Sequence, residues 1–345
     1  MRITTLFLFS TLIGCTAAPL KNAGSDHNYY CARYLAAGEL ERARNRCEMA
    51  LEFGDGYAEP YNLIGQIELA DGYLEEAEAA FKQAIALKED FAEAYNNLGA
   101  LKQMQGNRQA ARDLFQQAIE VDPDYQVARL NLGVIQHRTG DLSAARSTFG
   151  KCLENDPSQC ECLLGMGAVT AEQGQLPRAR VQFERATRIC GENPEAPRSL
   201  CWATLQLGEL GVAQASCARA LAIDPEHLEA RALYDTVRTR LAKREALLRS
   251  YAENARATPQ DPEPRFRLCL AHEKFGQLVE ATDWCDRAIA LSPGHAAAHF
   301  HAARIAERRN DAAKTGTHCR QVLRLKQAEE SARRWCTSRL RELGG

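Results

Sequence analysis

AEAYNNLGALKQMQGNRQAARDLFQQAIEVDPDY, residues 92–125, is the stretch from which the architecture is read. In its first half Tyr95, Leu98, Ala100 and Leu101 recur at helical spacing, and Gly106 then interrupts the run. Ala111, Leu114, Phe115, Ala118 and Ile119 recur in the second half, and Pro123 closes the unit. The stretch therefore reads as a helix, a turn and a second helix. A hairpin this small cannot bury its apolar face alone, so copies must stack on one another.

Stepping along the chain by 34 residues keeps this register from Gly24 to Glu329 with no insertion, which gives nine units beginning near residues 24, 58, 92, 126, 160, 194, 228, 262 and 296. The small residue of the first helix falls on Cys31, Gly65, Gly99, Gly133, Gly167, Cys201, Asp235, Cys269 and Ala303. The turn residue falls on Gly38, Gly72, Gly106, Gly140, Gly174, Gly208, Ala242, Gly276 and Asn310. An alanine opens the second helix in most units, with Leu247 and Thr315 as exceptions.

At these residues the chain resembles the tetratricopeptide repeat (TPR) family. The bulky second-helix residue of that family stands at Phe81, Phe115, Phe149 and Phe183, and its closing proline at Pro123, Pro157, Pro225, Pro259 and Pro293. The resemblance implies an all-α, right-handed superhelical solenoid of about nine helix hairpins over residues 24–329, closed by a capping helix over 330–345. In that cap Ala328, Ala332, Trp335, Cys336 and Leu340 recur at helical spacing. The seventh unit departs from the pattern with Asp235, Ala242, Leu247 and Tyr251, which predicts helices that are longer or differently angled there.

The chain opens with MRITTLFLFSTLIG, an apolar run too short to span a bilayer and shaped like a secretory signal over residues 1–14. It ends in Leu12-Ile13-Gly14-Cys15, which resembles a bacterial lipoprotein processing box and implies acylation of Cys15. Several acyl chains, at about 0.8 kcal/mol per buried methylene, make a stable anchor. Thr16 after the cysteine favours the outer membrane by the same resemblance. Residues 15–23 read as the lipidated cysteine and a tether, with a root-mean-square reach of about 16 Å.

Thirteen cysteines, twelve once Cys15 is set aside, suit an oxidising compartment. Cys31 and Cys47, Cys201 and Cys217, and Cys269 and Cys285 each lie sixteen apart, at the same two places of three units. Those places face each other across antiparallel helices, where a small residue otherwise meets an aromatic one. Extending the antiparallel register pairs Cys160 with Cys190, Cys152 with Cys162, and Cys319 with Cys336. Metal binding by these cysteines is disfavoured because no C-x-x-C occurs.

No G-x-S-x-G, phosphate-binding loop or H-E-x-x-H occurs, so the chain reads as non-enzymatic, with no cofactor and no metal. His295, His299 and His301 lack carboxylates or cysteines close by in their segment and read as surface histidines. Net charge is −2, yet residues 295–345 carry eleven bases and five acids, a net of +6, which leaves −8 for the remainder. With a pI near 6.5 and a secretory signal, nucleic acid is not an expected partner.

The family resemblance places a binding groove along the first helices. Its expected lining in units two to four is Asn62, Gln66, Asn96, Asn97, Gln103, Met104, Asn131, His137 and Arg138. A row of amides can hold the backbone of an extended peptide, since each offers a donor and an acceptor. In units six to nine the lining is Arg198, Trp202, Arg240, Phe266, Arg267, Lys274, Phe300, His301, Arg304 and Arg308, suited to an acidic segment. The expected function is a scaffold or assembly factor facing the periplasm from the outer membrane, similar in plan to the pilotin lipoproteins of type IV pili or serving a gliding-motility complex. The alternatives are a scaffold or receptor for cell-wall enzymes, and a glycan-binding envelope protein.

Overall fold

The computed structural model describes residues 23–53 and 57–344. Residues 1–22, and with them the signal segment, Cys15 and the tether up to Asn22, lie outside the described residues. The described residues form eighteen α-helices and no strand. They fall into two units, divided after Ala203.

The first unit holds five hairpins: α1 (Ala23–Ala36) with α2 (Leu40–Glu52), α3 (Ala58–Asp71) with α4 (Leu74–Leu87), α5 (Ala92–Met104) with α6 (Arg108–Val121), α7 (Gln126–Arg138) with α8 (Leu142–Asn155), and α9 (Cys160–Glu172) with α10 (Leu176–Ile189). α11 (Glu195–Gln206) follows. The second unit continues with α12 (Leu210–Ile223), α13 (Leu228–Ala257), the hairpins α14 (Glu263–Lys274) with α15 (Leu278–Leu291) and α16 (Ala296–Arg308) with α17 (Ala312–Arg324), and α18 (Glu330–Glu342). Within each of these hairpins the two helices pack on each other, and second helices pack on the first helix of the next hairpin. Each unit is thus a TPR-like solenoid.

The turn inside each hairpin depends on one left-handed residue. Gly72, at φ 87°, caps α3, and the chain reverses as Gly72 N–H bonds to Leu69 O and Tyr73 N–H to Glu68 O. In the last hairpin Asn310 takes the same conformation at φ 59°. At the corresponding place of the seventh repeat stands Ala242, and there the expected hairpin is absent: α13 runs unbroken for 30 residues. Alanine is the best helix former and resists positive φ by about 1–2 kcal/mol, so Lys243-Arg244-Glu245-Ala246 simply continue the helix. Only Ala230, Val237 and Ala255 of α13 are buried, because its two halves do not cover each other.

The interior of most hairpins is organised by one contact between helices. A methyl added at Gly65 would stand 2.5 Å from the Phe81 ring, at Gly99 2.7 Å from Phe115, at Gly133 2.6 Å from Phe149 and at Gly167 2.4 Å from Phe183. The rings therefore lie directly on glycine backbone, and all four are buried. At the same two places Cys31 is bonded to Cys47 and Cys269 to Cys285. Cys152–Cys162 joins α8 to α9, Cys160–Cys190 joins α9 to the end of α10, and Cys319–Cys336 fastens α18 to α17. Cys201 and Cys217 are also disulfide-bonded. Ala303, Val322, Ala332, Phe300, Trp335 and Leu340 complete the apolar contact under α18.

Charged contacts tie neighbouring hairpins on the outside of this core. Lys102 of α5 bonds Glu78 of α4 at 2.6 Å, and Lys82 reaches the same carboxylate at 2.8 Å. These two bonds hold the Glu78 carboxyl down to about 2.

Gly99→Ala should destabilise the protein by about 1–3 kcal/mol through overpacking against Phe115, read as a lowered denaturation midpoint by circular dichroism. An unchanged midpoint would show that the ring moves aside freely. Among the bonded cysteines Cys160 and Cys190 reach solvent while the other ten are fully buried. Limiting reductant followed by alkylation and peptide mass mapping should therefore open Cys160–Cys190 first; earlier opening of a buried bridge would contradict this ordering.

Candidate functional site

In the first unit the first helices α3, α5, α7 and α9 lie side by side, which brings their polar residues into one face. Helical geometry fixes which residues meet. Residues five and six of one repeat sit near those of the next, so contacts along the face link residues 35 apart. Asn131 Nδ2–H donates to Asn96 Oδ1 at 2.9 Å, and Asn97 Nδ2–H donates to Asn62 Oδ1 at 2.9 Å. Asn96 Nδ2 lies 3.5 Å from Asn97 Oδ1 and completes the row. Four amides from α3, α5 and α7 thus form one connected row. Asn62 and Asn96 are buried, whereas Asn97 and Asn131 are half-buried and keep hydrogen-bonding capacity toward solvent.

The other expected residues of this face are less uniformly placed. Gln66 and Gln103 are half-buried, Met104 is exposed, and Arg138 is exposed at the end of α7. His137 Nε2 contacts Glu172 Oε1 of α9 at 3.0 Å. Arg198 on α11 is buried; its Nε–H donates to Glu195 Oε2 at 2.7 Å and its Nη2–H to Ser199 Oγ at 3.1 Å. Trp202 is half-buried and packs against Ala179, Phe183, Leu200 and Ala203.

In the second unit the expected basic face is largely neutralised from within. Glu273, on α14 and nearly buried, receives His301 Nδ1 at 2.6 Å and Arg304 Nη2 at 3.7 Å, while Arg308 Nη1–H reaches the Glu273 carbonyl at 3.4 Å. Burial alone would push the Glu273 carboxyl up. The His301 hydrogen bond, together with the charges of His301, Arg304 and Arg308, outweighs it and holds the carboxyl below its ordinary range. Arg304 also lies over the Phe300 ring at 5.7 Å, and Arg267 pairs with Glu263 at 3.2 Å. Arg240 is exposed on α13, with Nη1 3.4 Å from Leu205 O, and Lys274 is exposed. Phe266 is buried in the core with Cys269, Cys285 and Ala302, so it supports the face rather than presenting a ring to it.

Glu273 was not singled out in the sequence. Its signal was there: Glu273 and Glu307 stand 34 apart at the same repeat position, and both pair with bases, Glu307 with Arg339 at 2.5 Å. Nearby, His299 Nε2 faces Pro293 O at 3.1 Å, an oxygen that can only accept, so Nε2 carries the proton. His299 Nδ1 and His318 Nδ1 stand 3.1 Å apart, a distance that one proton bridges and that excludes both rings being cationic at once. Burial lowers the basicity of both. No group of three His, Cys, Asp or Glu among the described residues could hold a metal ion, and none of the described helices is long and apolar enough to cross a membrane.

Comparison with known proteins agrees with this architecture. Residues 90–158 match the family described as tetratricopeptide repeat, and residues 65–106 match TPR repeat. The repeats over these residues are thus supported as tetratricopeptide repeats. No curated protein matches the sequence. The fold is similar to that of Pseudomonas aeruginosa pilF, at 18% identity, covering 62% of this chain and 97% of that one with a TM-score of 0.56. It is also similar to PilW, described as a widely conserved type IV pilus biogenesis factor, at 20% identity over 61% of this chain and 97% of that one with a TM-score of 0.54.

Both histidines have folded basicity below the ordinary 6.5, so their contribution is present above pH 6.5 and is lost as pH falls through the folded values. Thermal unfolding between pH 7.5 and 5 should show a falling midpoint, and His299→Gln with His318→Gln should flatten that slope. An unaltered slope in the double variant would assign the effect to other groups.

Proposed function

We propose that this chain is a non-enzymatic protein-interaction scaffold, anchored to the outer membrane by acyl chains on Cys15 and holding an extended segment of an envelope protein along the face of α3, α5 and α7. The observation that carries this reading is the chain of Asn62, Asn97, Asn96 and Asn131. Mutual hydrogen bonds fix the amides in orientation before any partner arrives, so little ordering remains to be done on binding. The donors and acceptors they leave open suit a peptide backbone, which repeats the same pair at every residue. Such a site tolerates many sequences and therefore suits assembly work.

The type IV pilus is the machine we favour, with a secretin subunit as client. The support is the lipoprotein box joined to a repeat solenoid; the likeness to pilF and PilW is one of fold. The basic half of the lining plays a smaller part in this reading, because Arg198, Arg267 and Arg304 are paired with Glu195, Glu263 and Glu273. A client carboxylate would have to compete with these contacts.

Crosslinking in the native envelope, followed by identification of the captured proteins, tests the proposal. Recovery of a secretin that falls at least tenfold in an Asn96→Ala, Asn97→Ala, Asn131→Ala variant of unchanged helicity supports both client and face. Recovery undiminished in that variant removes the amide row from binding. Motility or wall-synthesis proteins in place of the secretin would replace the client.

A further inference from the structure

α1 has no hairpin before it among the described residues, so one of its faces remains uncovered while α2 and α3 pack on the others. That face is aromatic, with Arg33 and Arg46 as bases and Asp26 as an exposed acid at its start. Tyr29 is 54% and Tyr30 42% exposed, their rings meeting edge to face at 5.5 Å. Arg33 lies over the Tyr29 ring at 5.8 Å, and Arg46 of α2 over Tyr30 at 5.6 Å. At the start of α1, His27 stacks on Phe53, itself 58% exposed, at 5.4 Å, and Arg46 Nη1 lies 3.1 Å from His27 Nδ1.

The distance along the chain from this face to the lipid-modification site is short. Seven residues, TAAPLKN, separate Cys15 from Ala23; they include Lys21 and no acid. Even fully extended, seven residues span at most about 25 Å. An anchor on Cys15 would therefore keep α1 beside the headgroup layer at an effective concentration in the range of about millimolar. Tyrosine rings concentrate at that depth of a bilayer, with the ring in the acyl boundary and the hydroxyl in water. An arginine stacked on such a ring directs its N–H groups outward, where phosphate oxygens lie.

We infer that the uncovered face of α1, formed by Tyr29, Tyr30, Arg33 and Arg46 with Phe53 at its edge, rests on the phospholipid headgroups of the membrane that holds Cys15. This inference rests on the lipoprotein reading above. Its consequence is orientation: the acyl chains hold the protein at the membrane, and α1 fixes which way the first hairpin faces.

The test uses the full acylated protein in vesicles of phosphatidylethanolamine and phosphatidylglycerol with brominated acyl chains, which quench nearby tryptophan. The chain has three tryptophans, so Tyr29→Trp adds a fourth, and its quenching should remove about a quarter of the emission. Val181→Trp, on α10 and 53% exposed, should leave emission as in unbrominated vesicles. The mass of the protein reports acylation separately. Acylated protein with Tyr29→Trp unquenched would overturn the inference and spare the anchor, whereas a chain with no acyl groups would overturn the anchor itself. Crosslinking of the Tyr29 face to a protein in the native envelope, with no quenching by lipid, would assign the face to that protein and likewise overturn the inference.

Discussion

Everything in this fold depends on how closely the two helices of a hairpin approach at one level. Four hairpins meet the requirement by placing a phenylalanine ring directly on glycine backbone, as Phe115 does on Gly99. Two others place a disulfide at the same height, with Cα atoms 5.3 Å apart for Cys31–Cys47 and 5.0 Å for Cys269–Cys285. The two solutions are physically different. The ring contributes dispersion and buried apolar area, while the bond restricts the unfolded chain by about 3 kcal/mol for a loop of this length. Either one sets the helix spacing on which the next hairpin stacks.

In the seventh repeat neither solution is present and the turn residue is alanine, and there the hairpin is absent; the last hairpin, with Ala303 facing Cys319, keeps a left-handed turn at Asn310 and forms. Asp235 and Tyr251 occupy those two places in the seventh repeat, and Ala242 occupies the turn. The sequence shows that something changes there, but not what. A hairpin is a tertiary object: it forms only if the contact between its halves outweighs the preference of the turn residues for helix. With alanine at the turn and a carboxylate at the packing position, local preference prevails, and α13 runs on unbroken. Elsewhere the repeat spacing made the helices legible because each hairpin keeps a left-handed residue at the turn and small or aromatic residues at the same two places. Asn310 replaced glycine without loss because asparagine also tolerates the left-handed conformation.

The face proposed for binding was legible in a different degree. That Asn62, Asn96, Asn97 and Asn131 share a face follows from their repeat positions. That they bond to one another follows only from the offset between neighbouring hairpins, which places residues 35 apart in contact. The basic half shows the opposite case. Arg198, Arg267 and Arg304 read as cations awaiting an acid, yet each already has one: Glu195 and Glu263 lie one turn back on the same helices, and Glu273 arrives from the first helix of the preceding hairpin. Phe266 likewise reads as a groove aromatic and is spent in the core. Residue type and spacing assign a face; they do not say how much of it is left over for a partner.

The disulfides connect the two halves of the account, since they bear on the hairpin register and suit an oxidising compartment of the kind proposed for this chain. The most direct measurement is a non-reducing peptide map of the protein isolated from its own cells with thiols trapped at lysis. The account predicts peptides joining Cys31 to Cys47, Cys152 to Cys162, Cys160 to Cys190, Cys269 to Cys285 and Cys319 to Cys336. Free thiols throughout would remove the covalent contact from the hairpins and the envelope from the function, and other pairings would contradict the register of the helices themselves.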